Sequence, residues 1–154
     1  MRTKRRYILV RVEPEYLPIS PRDLYYSLLE AITTIFGDSG AAKVQPAVLS
    51  CTGGVAIVRC VRNTEAMVFS SLPTVTRVAE HRVALRSCAT GGTLLSLRRR
   101  LGESPRTPAE IGDDVEFDGN SYQTVRYHGE KVDLIEKGFK SQTLLFLTQQ
   151  DLEE

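Results

Sequence analysis

No stretch of the 154-residue chain approaches the roughly 18 uninterrupted apolar residues that a membrane-crossing helix needs. The start is basic, Arg2-Thr3-Lys4-Arg5-Arg6, but the apolar run behind it, residues 7–10, is broken at once by Arg11 and Glu13. That run is too short for a secretory core, and cytosolic residence without a membrane is expected. Cysteine is scarce: Cys51, Cys60 and Cys88 are odd in number and none forms a Cys-x-x-Cys pair. A disulfide framework or zinc site is therefore not expected, and all three read as buried free thiols. The two histidines, His81 and His128, lie in separate segments with no Ser, Cys or Asp arranged beside them. There is no Walker loop and no Gly-x-Gly-x-x-Gly. Asp113, Asp114, Glu116 and Asp118 do not follow an EF-hand pattern and read as a solvated acidic loop. The chain is expected to have no catalytic residues, metal ligands or cofactor of its own.

The charge is unevenly spread. Residues 1–106 hold 16 Lys/Arg against 8 Asp/Glu, and residues 107–154 hold 4 against 11, so +8 and −7 make up the formal net charge of +1. A basic part of this kind suggests a polyanionic partner. The acidic part aids solubility or shields the basic surface from wrong partners.

Apolar periodicity places the elements. Residues 5–12 alternate, with Ile8, Val10 and Val12 on one face and Tyr7, Leu9 and Arg11 on the other. Ser20-Pro21-Arg22-Asp23 is a helix start, with serine as cap, proline in the first turn and an acid three residues on. Leu24, Leu28, Ile32 and Phe36 follow at helical spacing, and Gly37 is a plausible stop. Residues 43–51 and 54–62 read as a hairpin about Gly53-Gly54. A second helix runs from Asn63-Thr64-Glu65 to about Leu72, ahead of Pro73. Residues 81–90 alternate again as a fourth strand, with Arg82 and Arg86 on one face. Gly91-Gly92-Thr93 then opens a third helix with Leu94, Leu97 and Leu101 on one side and Arg98, Arg99 and Arg100 exposed.

The order β-α-β-β-α-β plus a third helix predicts an α+β, ferredoxin-like sandwich, similar to an RNA recognition motif. Both long helices would pack on one sheet face and leave the other free. Residues 1–104 would form this domain, and residues 105–154 an acidic C-terminal extension beyond the prolines Pro105 and Pro108. In the extension, residues 123–127 and 131–135 read as short strands, and residues 143–152 as strand or helix.

RNA is the expected partner. Lys4, Arg5 and Arg6 lead into the first strand, Arg82 and Arg86 line the fourth, and Arg98, Arg99 and Arg100 follow the helix start at Gly91, Gly92 and Thr93. Free backbone N–H groups at such a start favour phosphate, and the set is a candidate RNA-binding surface. The third strand carries no aromatic residue. Base stacking of the recognition-motif kind is therefore not expected, and reading of RNA shape and phosphates, or a protein on that face, fits better.

The ordered set Arg5-Arg6-Tyr7-Ile8-Leu9, Phe36-Gly37, Gly40-Ala41-Ala42, Thr52-Gly53-Gly54-Val55-Ala56-Ile57-Val58-Arg59-Cys60, Ser71-Leu72-Pro73 and Gly91-Gly92-Thr93-Leu94 resembles the ribonuclease P protein component 2 family of archaea and, in related form, eukaryotes. The resemblance covers about residues 4–102. It implies an accessory subunit of the ribonucleoprotein that removes the 5′ leader of precursor tRNA. Its partners would be the ribonuclease P RNA with bound Mg²⁺, component 3, other protein subunits, and a second copy within a heterotetramer.

Two other readings start from the same topology. One is a protein-binding or regulatory module without RNA, which would show no salt-dependent affinity for structured RNA. The other is a small acylphosphatase-type hydrolase, which needs an anion seat after the first strand. Glu13 and Glu15 occupy that loop and suit an anion poorly.

Overall fold

In a computed structural model, which describes residues 3–102, 110–126, 131–138 and 144–153, the first strand β1 (Arg5–Glu13) keeps the alternation of its sequence. Ile8, Val10 and Val12 are buried on one face, against the helices, while Leu9 and Tyr7 face the opposite cluster. Ser20 caps α1 (Pro21–Val44) by accepting from the Asp23 N–H, with Pro21 in the first turn. Leu24, Leu28 and Ile32 are fully buried, each worth about 1.5–3 kcal/mol of apolar burial. Gly37 does not end the helix. It takes φ 72 and ψ 179, and a second helical piece continues to Val44 before Gln45 closes it in the left-handed region. The break costs glycine little, and the second piece packs at Gly40 against Met67, where a Cβ would come within 3.2 Å of that side chain.

This extension shortens the following strand. β2 (Ala47–Thr52), expected from residue 43, begins only after the helix ends. It pairs with β3 (Val55–Val61) through the glycine turn at Gly53 and Gly54, both at positive φ. α2 (Glu65–Ser71) follows, and Pro73 lies in a 3-10 turn, Leu72–Thr74, that ends it. The expected fourth strand is divided. Arg77–Val78 (β4) and His81–Arg82 (β5) form their own two-residue ladder, and only β6 (Ala84–Gly91) joins the main sheet. The reason is local: the Val83 N–H donates to Thr76 O instead of extending the sheet.

The main sheet has the order β2-β3-β1-β6, all antiparallel, which is the ferredoxin-like arrangement expected from the element order. α1 and α2 cover one face through the core of Ile8, Val10, Leu24, Leu28, Ile32, Val58 and Val68. The other face is not free. α3 (Leu94–Gly102) lies on it, with Leu97 fully buried against Leu9, Val55 and Ile57, and Leu94, Leu101 and Tyr7 around them. A nine-residue helix is too short to hold itself together in water, so this apolar patch decides where it sits.

The chain divides into two compact units, Met1–Ser104 and Pro105–Glu154. The second unit contains a four-stranded antiparallel sheet of order β10-β9-β8-β7, from β7 (Glu110–Phe117), β8 (Asn120–Arg126), β9 (Lys131–Glu136) and β10 (Leu144–Thr148). α4 (Gln149–Glu153) follows, so residues 143–152 supply both a strand and a helix. β7 overturns the reading of Asp113, Asp114 and Glu116 as a solvated loop. Its carboxylates are exposed, but Val115 and Phe117 are half-buried, and Phe117 meets the Tyr122 ring edge-on at 6.5 Å. The turn at Asp118 (φ 49) and Gly119 (φ 79) has the twist that suits a tight hairpin. His128 and the prolines Pro105 and Pro108 lie outside the described residues.

Candidate nucleic-acid interface

The ends of three strands meet at one corner of the first unit. β1 and β3 pair from Arg5↔Val61 onward, and the Arg62 N–H donates to Lys4 O at 3.0 Å. On the other side Tyr7 pairs with Gly91, the last residue of β6. Lys4, Arg5, Arg6, Arg62 and Gly92 therefore line one open cleft of about 500 Å³. The Arg5 guanidinium donates to Gln45 Oε1 at 2.8 Å, a neutral acceptor at the close of α1. Arg6 Nε lies 3.3 Å from Glu65 Oε1 in the first turn of α2. Lys4 and Arg62 are exposed and have no carboxylate within ion-pair distance among the described residues.

The glycines shape this corner. A Cβ on Gly92 would stand 3.1 Å from Arg6 Nη1, so its absence lets that guanidinium lie over the chain. A Cβ on Gly91 would meet Ser96 Oγ at 2.5 Å and Leu97 Cγ at 3.2 Å, so Gly91 lets α3 fold back onto the sheet. Thr93 Oγ1 accepts from the Ser96 N–H at 3.2 Å and thereby takes one of the free N–H groups at the helix start.

The remaining sequence-selected residues are dispersed. Arg98, Arg99 and Arg100 are exposed on α3. Arg86 stands opposite Arg11 in the sheet, and its Nη2 lies 3.5 Å from Glu13 Oε1. Arg82 sits in the separate β4–β5 ladder, opposite Arg77, so it is not on the same strand as Arg86. Arg62 and Glu65 are the residues that sequence reasoning passed over at this site. No local signal marks Arg62, whose place beside Lys4 depends on the β1–β3 register.

The thiols do not all behave as expected. Burial pushes the Cys51 thiol up. Burial also pushes Cys60 up, opposed by a hydrogen bond with Thr64 and by Arg5 and Arg6, and assisted by Glu65. Cys88, by contrast, is exposed, because a bulge in β6 between the partners of Leu9 and Val10 turns it outward. Among the described residues no three His, Cys, Asp or Glu side chains gather as a metal site. Among them, too, no helix is long and apolar enough to cross a membrane.

Comparison with known proteins agrees with this architecture. The chain is similar to ribonuclease P protein component 2 of Methanoculleus marisnigri, 46% identical over 154 residues that span 100% of this chain and 95% of the relative. The protein of the same name from Methanosphaerula palustris is 43% identical, again over 100% of this chain and 95% of its own length. Both similarities run through the second, acidic unit. A chain in a cryo-EM structure of yeast ribonuclease MRP has a similar fold, with a TM-score of 0.50 at 15% identity over 67% of this chain and 92% of that one. The model of the Rpp14/Pop5 family matches residues 6–101, from β1 to the last turn of α3, and the chain belongs to that family.

Proposed function

We propose that this chain is a protein subunit of ribonuclease P, the ribonucleoprotein that removes the 5′ leader of precursor tRNA, and that it acts by supporting the catalytic RNA. The observation that carries this reading is the cationic corner of Lys4, Arg5, Arg6 and Arg62, beside a helix whose Arg98, Arg99 and Arg100 are exposed, in a chain whose full-length relatives bear that name. An RNA fold that brings phosphates close together is opposed by their repulsion. Fixed cations on a protein offset that repulsion and reduce the Mg²⁺ that the RNA needs. The Mg²⁺ belongs to the RNA in this reading, and no residue of this chain is asked to hold it or to take part in bond cleavage.

Pairing with component 3 is part of the same proposal, as are the other protein subunits and self-association. Tyr26, Ile35, Leu49 and Phe69 on α1, β2 and α2 are large apolar residues left exposed, at 55%, 44%, 40% and 37%, and suit a protein partner. The test is cleavage of precursor tRNA by the cognate catalytic RNA at low Mg²⁺, with this protein, with component 3, and with both. Rescue by the pair alone is expected. No rescue, with both proteins folded and the RNA active at high Mg²⁺, removes the reading and leaves a binding module that does not act on RNA.

A further inference from the structure

We infer that the corner cleft is a seat for one particular backbone phosphate of the RNA, with Arg62 as a principal ligand and Glu65 as the residue that positions Arg6 beside it. The inference rests on the RNA-binding reading and adds to it a discrete site and two residues. Four cationic residues, Lys4, Arg5, Arg6 and Arg62, line the cleft, and among the described residues one carboxylate, that of Glu65, pairs with them. Like charges gathered without matching counter-charges are held together by nothing but the fold, and an anion between them relieves the repulsion.

Lys4, Arg6 and Arg62 share one face at this corner because of where they stand in the strands. Lys4 and Arg62 are tied together at 3.0 Å through the backbone, at facing strand ends. Arg6 uses Nε on Glu65, which leaves its two terminal nitrogens, and Gly92 has no side chain to stand in their way. Guanidinium forks of this sort match the two free oxygens of a phosphodiester. The arginines of α3 differ in kind. Three consecutive helical residues fan out by about 100° each, so Arg98, Arg99 and Arg100 cannot converge on a single phosphate. They act as diffuse charge, for which lysine serves equally well.

The test is phosphate-ethylation interference on the cognate catalytic RNA, with affinities measured alongside. Wild type is compared with Arg62→Ala, Arg62→Lys and the triple variant R98K/R99K/R100K. Arg62 is exposed, so both of its variants fold, which circular dichroism checks. Wild type is expected to show one or two phosphates whose ethylation blocks binding. In Arg62→Ala those phosphates fall silent and affinity drops about fivefold or more, Arg62→Lys is nearly as weak, and the triple lysine variant stays within about twofold of wild type. If the Arg62 variants keep the wild-type interference map, or if Arg62→Lys binds as wild type does, the discrete seat is refuted while RNA binding stands. If wild type binds no RNA at all, the proposed function falls with it.

Discussion

Replacing Leu97 by alanine should detach α3 and leave the rest of the first unit folded. Leu97 is fully buried against Leu9, Val55 and Ile57, on the sheet face opposite the α1–α2 core. A fully buried Leu→Ala change costs about 2–5 kcal/mol. The helix has nine residues, which cannot sustain helicity alone, and its other anchors, Leu94 and Leu101, are only partly buried. A loss of about 3 kcal/mol lowers the docked-to-undocked ratio by a factor on the order of 100. The core of Ile8, Leu24, Leu28 and Ile32 does not include Leu97, so cooperative melting of that core should persist. Hydrogen exchange should show residues 94–102 losing protection while β1 and β3 keep theirs. Affinity for the catalytic RNA should fall, and the salt dependence of log K should flatten by up to about 3, as Arg98, Arg99 and Arg100 lose their fixed placement. Unchanged protection in residues 94–102 would refute the reasoning, and so would simultaneous loss of protection throughout the first unit.

Thiol reactivity should separate the cysteines: a disulfide-exchange reagent at neutral pH should modify exposed Cys88 first, and Cys88→Ser should leave only slow reaction, because burial raises Cys51 and Cys60. At the hairpin turn, Gly53→Ala meets only the positive-φ cost, about 1–2 kcal/mol, since nothing lies within 4 Å of its Cβ position. Gly54→Ala also drives a Cβ to 2.7 Å from the Glu15 Cα and should cost about 1–3 kcal/mol more by thermal or urea unfolding; equal losses at the two sites would contradict the packing. Asp151 accepts from the Thr148 N–H at 2.8 Å and from its hydroxyl at 2.7 Å, bonds that hold its carboxyl below the ordinary 3.8. Its support for α4 is therefore complete above about 3.8 and is lost as pH falls through the lower folded value, so the Thr148 amide resonance should stay fixed at neutral pH and shift only in acid.

The sequence carried local structure further than tertiary placement. Alternation at Ile8, Val10 and Val12 and the Ser20–Asp23 cap are backbone-scale signals, and both appear in the fold as read. Gly37 was ambiguous because a glycine at positive φ serves a kink as readily as a stop. The next segment packs at Gly40 both on Phe36, across the kink, and on Met67 of α2, and the second partner lies beyond the whole intervening hairpin. The seat of α3 was equally hidden: Leu94, Leu97 and Leu101 announce an apolar stripe, but not which surface receives it. β7 is hard to read from sequence because most of its exposed positions are acidic and only Val115 and Phe117 mark an inner side. At the candidate interface, the runs of basic residues were plain in the sequence. Their convergence was not, since it depends on the β1–β3 register that sets Arg62 beside Lys4.

That register also has a consequence in time. β1 lies in the middle of its sheet, between β3 and β6, so it leaves the ribosome before either neighbour and must wait for both. Its partners end at Val61 and Gly91, and pairings so distant along the chain make closure slow. During that interval Lys4, Arg5 and Arg6 are charge without shape, able to hold any polyanion weakly and none in particular. Arg62 and Gly92 complete the corner only when most of the first unit has been made. On the phosphate-seat reading, selectivity is thus acquired late in synthesis, as the strands close around a cluster of charge that was made before them.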